Sequence, residues 1–169
     1  NGEIYNYKNL IGTTQIQDVK SKSDCEVILH LYYRYMIEEE VFVDNPETFS
    51  KNIVKITQKI MQRICQELDG VFSFIIYDER YDTMSVARDP IGVRSLYYGI
   101  SEEGLYFSSE LKSIHNLCDN MEFFPPGSVC CFKTNMKEMF NLEFKSYYDY
   151  NYKTTIFKSV SIGSDLYSY

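Results

Sequence analysis

The sequence contains little glycine and proline, with 8 and 4 of these residues among 169. Collagen-like chains and flexible linkers need far more of both. The sequence also lacks any apolar run near the roughly 20 residues that a membrane-spanning helix needs. Intrinsic disorder is excluded because 11 Phe and 16 Tyr provide ample material for a packed core. The composition therefore predicts one soluble globular domain.

Basic residues are few and scattered, with 17 Lys and Arg against 24 Asp and Glu, for a net charge of −7. Nucleic-acid affinity depends on neutralising phosphates with clustered Lys and Arg. We therefore expect neither a nucleic-acid nor a membrane partner.

The five cysteines show no CxxC spacing and form an odd set: Cys25, Cys65, Cys118, Cys130 and Cys131. This pattern predicts neither a disulfide framework nor a zinc site, and we expect no metal ligands. A reducing, cytoplasmic location is the simplest interpretation. In a strand, Cys130 and Cys131 would point to opposite faces.

Two amphipathic helices are predicted. The first starts near Ser23 or Asp24, with Glu26 completing a capping box, and carries an apolar stripe at helical spacing. That stripe comprises Val27, Ile28, Leu31, Tyr32, Tyr35 and Met36. The second starts at Pro46 and buries Phe49, Ile53, Ile56, Ile60, Ile64 and Leu68.

Short runs of β-forming residues follow Gly70. The sequence predicts a buried strand over 71–77, a partner over 83–87, a hairpin of 96–100 with 105–108, and a last hairpin of 129–132 with 139–144. A short helix from Ser109 would carry Leu111, Ile114 and Leu117. Helices beside adjacent strands indicate an α+β fold.

Three local motifs each have a structural and a functional interpretation. Asn1-Gly2-Glu3 is either an ordinary turn or an oxyanion hole, which needs donors near a developing negative charge. Asp24 either caps a helix or accepts a hydrogen bond from an ammonium group. The segment from Arg88 to Arg94 is either a polar turn or a rigid internal clamp.

Six motifs in this order, NGEIYN, SDCEVI, LDGVFSFIIYD, ARDPIGVRSLYYG, LYFSSELKSI and FPPG, resemble the glutaminase domain of glutamine-hydrolysing asparagine synthetases. These are class II glutamine amidotransferases. The resemblance implies the four-layer αββα sandwich of N-terminal-nucleophile hydrolases. It also implies attack on glutamine by an N-terminal Cys, followed by passage of ammonia to an ATP-dependent synthetase domain.

By resemblance, Asn1 and Gly2 form the oxyanion hole, Asn1, Gly2 and Glu3 contact glutamine, and Asp24 holds the substrate ammonium group. Arg88, Asp89 and Gly92 match a structural motif near the site.

The family's nucleophilic Cys and its pyrophosphate-binding loop do not occur in the sequence. We therefore expect an N-terminally truncated, inactive piece of a glutaminase domain over 1–145, with an insertion at about 38–64. A Tyr-rich tail over 146–169 would lead to the synthetase domain. The insertion is expected on the surface, with its apolar stripe covering a partner or that domain.

The implied parent protein forms asparagine from aspartate, glutamine and ATP. No cofactor is expected in this chain, while ATP and Mg²⁺ would bind the synthetase domain. Expected partners are glutamine and that domain, and a homodimer stays open. Two alternatives stay open as well: a glutaminase domain for glucosamine phosphate or phosphoribosylamine synthesis, and a degenerate amino-acid-binding module.

Overall fold

A computed structural model describes residues 1–14, 19–39, 52–134 and 142–149. Three α-helices, one 3₁₀-helix and eight strands occur in this part of the chain. In chain order they are β1 (Gly2–Ile4), α1 (Tyr7–Thr14), α2 (Glu26–Glu38), α3 (Ile53–Glu67), β2 (Gly70–Asp78), β3 (Thr83–Arg88), β4 (Tyr97–Ser101), β5 (Gly104–Ser108), the 3₁₀-helix (Leu111–Ser113), β6 (Asn120–Phe123), β7 (Ser128–Lys133) and β8 (Phe144–Ser146).

The strands form two antiparallel sheets. The larger has the order β1-β2-β3-β7-β8 and the smaller the order β5-β4-β6. One hydrophobic core lies between the larger sheet and the helices, and a second core fills the space between the two sheets. The described residues thus form helix, sheet and sheet layers, which confirms the predicted α+β class. The second helical layer of the expected four-layer sandwich is not among the residues described.

Successive side chains of the central strands β3 and β7 point alternately into the two cores. Val86 of β3 and Cys130 of β7 pack between the sheets, whereas Ala87 and Cys131 pack against the helices. The predicted divergence of Cys130 and Cys131 is therefore confirmed, because successive side chains of a strand point to opposite faces. Burial raises the pKa of both thiols to about 12, so neither ionises near neutral pH.

The predicted stripe of the first helix is confirmed, because all six of its residues are buried in α2. The predicted capping box is wrong. Cys25 occupies the N-cap position without a side-chain cap, and Glu26 accepts hydrogen bonds from the backbone N–H groups of Lys20 and Ser21, each at 2.7 Å. Neither carboxylate caps the helix, because Glu26 bonds to the preceding loop and Asp24 bonds to β1.

The expectation that the apolar stripe of the insertion covers a partner or the synthetase domain is wrong for its helical part, although the other face of α3 is exposed at Lys55, Lys59 and Arg63. Helix α3 packs on α2, β3 and β7, and Ile60, Met61 and Ile64 are at most 2% exposed. Its apolar stripe therefore covers the chain's own sheet rather than a partner. Pro46 and Phe49, the predicted start of this helix, lie outside the described residues.

Two predictions, one of a strand and one of a helix, need correction. The run over 71–77 is buried on one face only, because Ile75 and Tyr77 are 44% and 54% exposed and the smaller sheet stacks on β3, β7 and β8. The helix from Ser109 is a single 3₁₀ turn that buries Ile114 alone of its three apolar residues. A longer helix has no room here, because the chain is extended again from Asn120, where β6 pairs with β4.

The last predicted hairpin forms, and among the described residues its second strand overlaps the predicted range 139–144 only at Phe144. Strand β8 pairs with β7 over Phe144–Ser146, and residues 139–141 lie outside the described part. The sequence did not indicate β6 or α1. The boundaries 1–145 and 146–169 stay predictions, although Tyr147, assigned to the tail, is only 5% exposed.

Candidate functional site

The candidate site begins at the edge strand β1, whose pairing determines where its N–H groups point. The backbones of Asn1 and Ser73 exchange two hydrogen bonds, of 3.1 and 2.8 Å. Hydrogen-bonded and non-bonded pairs alternate in antiparallel sheets, so the next pair, Gly2 opposite Phe72, is non-bonded. The N–H of Gly2 therefore points away from β2, toward an edge of the sheet that no strand of the described residues covers.

Glycine at position 2 is required by close packing of the two strands. A Cβ atom there would lie 2.5 Å from the Val71 carbonyl oxygen and 2.9 Å from the Phe72 Cα. Any side chain would push β1 away from β2. Gly2 thus has two functions: it presents an outward N–H, and it lets β1 pair closely with β2.

Asp24 reaches the same edge from the start of α2. Its Oδ2 accepts a hydrogen bond from the Ile4 N–H at 2.5 Å. Ile4, like Gly2, belongs to a non-bonded pair of β1 and β2, so both N–H groups face outward. The Asp24 carboxylate and the Gly2 N–H therefore lie along one edge, two residues or about 7 Å apart along the strand.

Cys25 also borders this edge, with its Sγ 3.9 Å from the Gly2 carbonyl oxygen. Burial, followed by the neighbouring Asp24 carboxylate, raises the pKa of the Cys25 thiol. A raised pKa keeps the sulfur protonated at neutral pH, and a thiol is a weak nucleophile compared with a thiolate. This cysteine therefore fits a packing role.

The segment from Arg88 to Arg94 is the rigid clamp that its composition suggested. The Asp89 carboxylate accepts four backbone N–H groups, from Ile91, Gly92, Val93 and Arg94, at 2.6–3.2 Å. The Arg88 guanidinium donates to the carbonyl oxygens of Gly92, Arg94 and Phe124 at 2.7–2.8 Å. Both side chains are buried, so charge-assisted bonds replace their lost hydration.

Gly92 completes the clamp because its backbone adopts φ +76°, which side chains rarely tolerate, and a Cβ there would lie 2.8 Å from Pro126. The Asp89 N–H, in addition, donates to the Phe72 carbonyl at 2.7 Å. The clamp is thereby bonded to the residue that lies opposite Gly2.

Arg94 joins the clamp to the site. Its Nη2 lies 3.8 Å from Oε1 of Glu3, and these side chains are 34% and 64% exposed. Its Nε is buried and has no hydrogen-bond partner among the described residues. Sequence reasoning included Arg94 in the candidate clamp but did not place it at the site. The signal that could have done so is the second arginine of the RDPIGVR segment, six residues after Arg88.

The predicted residues Asn1, Gly2, Glu3 and Asp24 thus converge on one edge of the larger sheet, and Arg88, Asp89 and Gly92 support it. The part of the chain that the structure describes contains no group of three or more His, Cys, Asp or Glu side chains that could hold a metal ion. No helix in that part is long and apolar enough to cross a membrane.

The family profile described as "Glutamine amidotransferase domain" matches residues 1–116, more than half of the chain. The chain belongs to the glutamine amidotransferase domain family. Its β1 edge, with Gly2 and Asp24, lies within the matched residues. The resemblance expected from the six motifs is therefore confirmed at the level of this domain.

Curated relatives carry the same domain in longer proteins. The chain is 38% identical over 135 residues to "Asparagine synthetase [glutamine-hydrolyzing]" of Triphysaria versicolor, covering 79% of this chain and 19% of that protein. A "Probable asparagine synthetase [glutamine-hydrolyzing]" of Schizosaccharomyces pombe is 38% identical over 134 residues, covering 75% and 19%. The chain thus spans about a fifth of the length of these relatives.

Solved structures agree on the fold. A glutamine phosphoribosylpyrophosphate amidotransferase from B. subtilis superposes with a TM-score of 0.61 at 19% identity, over 88% of this chain and 28% of that one. An allosteric regulatory enzyme of purine biosynthesis gives 0.62 at 19% identity, over 88% and 27%. These similarities confirm the expected amidotransferase fold.

Proposed function

We propose that the glutamine amidotransferase domain formed by this chain is the glutaminase part of an asparagine synthetase. It would release ammonia from glutamine for the ATP-dependent amidation of aspartate. The observation that carries this proposal is the β1 edge, where an outward Gly2 N–H and the Asp24 carboxylate lie side by side. The curated relatives named asparagine synthetase, at 36–39% identity, favour this parent over other amidotransferases.

The roles of the site residues follow from their chemistry. The Gly2 N–H, which none of the described strands uses, would be a preorganised donor for the oxyanion of a tetrahedral intermediate. The Asn1 side-chain amide beside it would be the second donor. The second oxygen of Asp24 would accept the α-ammonium group of glutamine while the first holds Ile4. Glu3 would contact the substrate at the side bordered by Arg94.

The attacking thiolate would come from an N-terminal cysteine outside these 169 residues, and we propose that the chain by itself does not turn over glutamine. Cys25, the thiol beside Gly2, does not fit that role because its pKa is raised. ATP and Mg²⁺ would act in a synthetase domain elsewhere in the protein. We propose that domain and glutamine as the partners of this chain. We propose the cytoplasm as its location, and a homodimer stays an open prediction.

The test is an assay of glutamate release from glutamine by the full-length protein and by the 169-residue chain. We expect hydrolysis by the former only, coupled to asparagine formation when aspartate and ATP are added. Turnover by the isolated chain would contradict the assignment of the nucleophile. Hydrolysis coupled to a phosphosugar instead of aspartate would contradict the proposed parent enzyme.

A further inference from the structure

Tyr147 lies outside the candidate site but is bonded to β3, two strands away from β1. Its side chain is 5% exposed, and its buried hydroxyl donates to the Arg88 carbonyl oxygen at 2.7 Å. Its backbone N–H donates to the Gly127 carbonyl at 2.9 Å. A buried tyrosine hydroxyl aimed at a backbone carbonyl fixes both groups in one geometry.

The Arg88 carbonyl needs this hydroxyl because the sheet does not supply a partner for it. The β3–β7 register ends at Ala87 opposite Val129, one residue before Arg88. A buried carbonyl left without a donor costs free energy comparable to a lost hydrogen bond. Tyr147 thus replaces the missing ladder bond at the point where β3 turns into the Asp89 clamp.

Arg88 lies two strands away from Asn1. It is paired with Ser73 in the β2–β3 register, and Ser73 exchanges two backbone hydrogen bonds with Asn1. A row of four residues therefore crosses the sheet from Tyr147 through Arg88 and Ser73 to Asn1. Ser73 uses its backbone N–H and C=O on Asn1, so Arg88 and Ser73 form a non-bonded pair in close packing contact. The adjoining bond from the Asp89 N–H to the Phe72 carbonyl at 2.7 Å holds the two strands together there. A displacement at one end of the row is therefore transmitted through tightly packed backbone to the other.

The segment that carries Tyr147 is itself held by helix α3. Three glutamines spaced four residues apart share one face of that helix and donate to backbone carbonyls of residues 143–147. The bonds join Gln58 to Glu143 at 3.3 Å, Gln62 to Ser146 at 2.8 Å and Gln66 to Tyr147 at 3.1 Å. The tyrosine therefore has a rigid support.

We propose that Tyr147 is a positioning residue of the glutaminase site, because its hydroxyl holds Arg88 and thereby the Ser73–Asn1 pair. The proposal rests on the proposed function for its kinetic consequence. Without the hydroxyl, the Arg88 carbonyl turns toward another donor and the row shifts. Oxyanion donors act only when they lie close to 3 Å from the developing charge, so a small shift lowers the rate.

The test compares Tyr147→Phe with Tyr32→Phe in the full-length protein. Tyr32 is a matched control, since its buried hydroxyl donates at 3.1 Å to Asp78, at the opposite end of β2 from Ser73. We expect kcat for glutamine hydrolysis to fall about tenfold in Tyr147→Phe, with KM changed less than about twofold because Asp24 is not in the row. Tyr32→Phe should keep both constants within about twofold of wild type.

Amide hydrogen exchange at Ser73 gives a readout that does not depend on activity. We expect the Ser73 N–H, which bonds to Asn1, to exchange at least about tenfold faster in Tyr147→Phe and unchanged in Tyr32→Phe. Equal kcat values in the two variants, or unchanged exchange at Ser73, would overturn the proposal. If the wild-type protein does not hydrolyse glutamine, the proposed function fails, and the exchange measurement alone decides the role of Tyr147.

Discussion

Asp24 and Ile4 are joined by a 2.5 Å hydrogen bond from the Ile4 N–H to Oδ2 of Asp24. This bond attaches the start of α2 to the outer edge of β1, although the two residues are 20 positions apart. The carboxylate that sequence reasoning assigned to a substrate ammonium group is therefore also a structural acceptor.

That double role makes two substitutions of Asp24 behave differently. Asp24→Asn retains an oxygen that can accept the Ile4 N–H but loses the charge, so we expect KM for glutamine to rise at least about tenfold with little loss of stability. Asp24→Ala should also lower the free energy of unfolding by about 1–3 kcal/mol. Steady-state kinetics of the full-length protein measure KM, and urea unfolding measures the free energy of unfolding, for both variants. An unchanged KM in Asp24→Asn would show that Asp24 does not bind the substrate.

Gly2→Ala should displace β1 from β2, because the added Cβ would lie 2.5 Å from the Val71 carbonyl. We expect a loss of about 1–3 kcal/mol in the free energy of unfolding. Gly12→Ala is the control, since a Cβ at Gly12 meets nothing within 4 Å and alanine favours helix α1 by up to about 1 kcal/mol. Urea unfolding measures both, and equal effects would show that the close approach at Gly2 is unimportant.

The contribution of Glu26 to the stability of the fold should decrease at acidic pH. Hydrogen bonds from the Ser21 side chain and the Lys20 N–H lower the pKa of Glu26 from 4.5 to about 2. A group whose pKa is lower in the folded state stabilises it above the unfolded pKa, so this stabilisation is complete above about pH 4.5 and lost toward pH 2. We expect the stability difference between wild type and Glu26→Gln to shrink over that range.

The Glu26 titration can also be observed directly. NMR of the side-chain carboxyl should show a midpoint near the lowered value, and Ser21→Ala should raise that midpoint because it removes the first of these hydrogen bonds. A midpoint at the value of an ordinary glutamate would contradict the arrangement of residues 20–26.

Ile64→Ala should destabilise the chain strongly. Ile64 of α3 is 0% exposed, and truncation of a buried isoleucine to alanine costs about 2–5 kcal/mol. Ile37, 51% exposed on α2, is the control, and Ile37→Ala should cost less than about 1 kcal/mol. If both variants lost little stability, α3 would not be part of the core.

The sequence alone predicted the local elements whose patterns are strong. The six-residue stripe of α2 and the opposite orientations of Cys130 and Cys131 follow directly from helical and strand periodicity. The ordered motifs likewise identified the amidotransferase fold. The site roles of Asn1, Gly2, Glu3 and Asp24 stay predictions. Local pattern is sufficient here because each signal lies within one element or one motif.

Other predictions failed where groups outside the predicted element compete for the same side chains. The capping box at Ser23 and Glu26 does not form because Lys20 and Ser21 occupy the Glu26 carboxylate and Ile4 occupies Asp24. The apolar stripe of α3 could equally have covered a partner, and only packing on β3 and β7 shows that it covers the chain's own sheet.

From the sequence come the strongly patterned elements such as α2, β2 and β7, the family and the candidate side chains of the site, but not α1 or β6. The tertiary structure alone decided that Gly2 directs its N–H outward, that Arg94 reaches Glu3 and that Tyr147 bonds to Arg88. The physical reason is that these relationships depend on strand register and on contacts between residues tens of positions apart. Neither is encoded in the periodicity of any single segment.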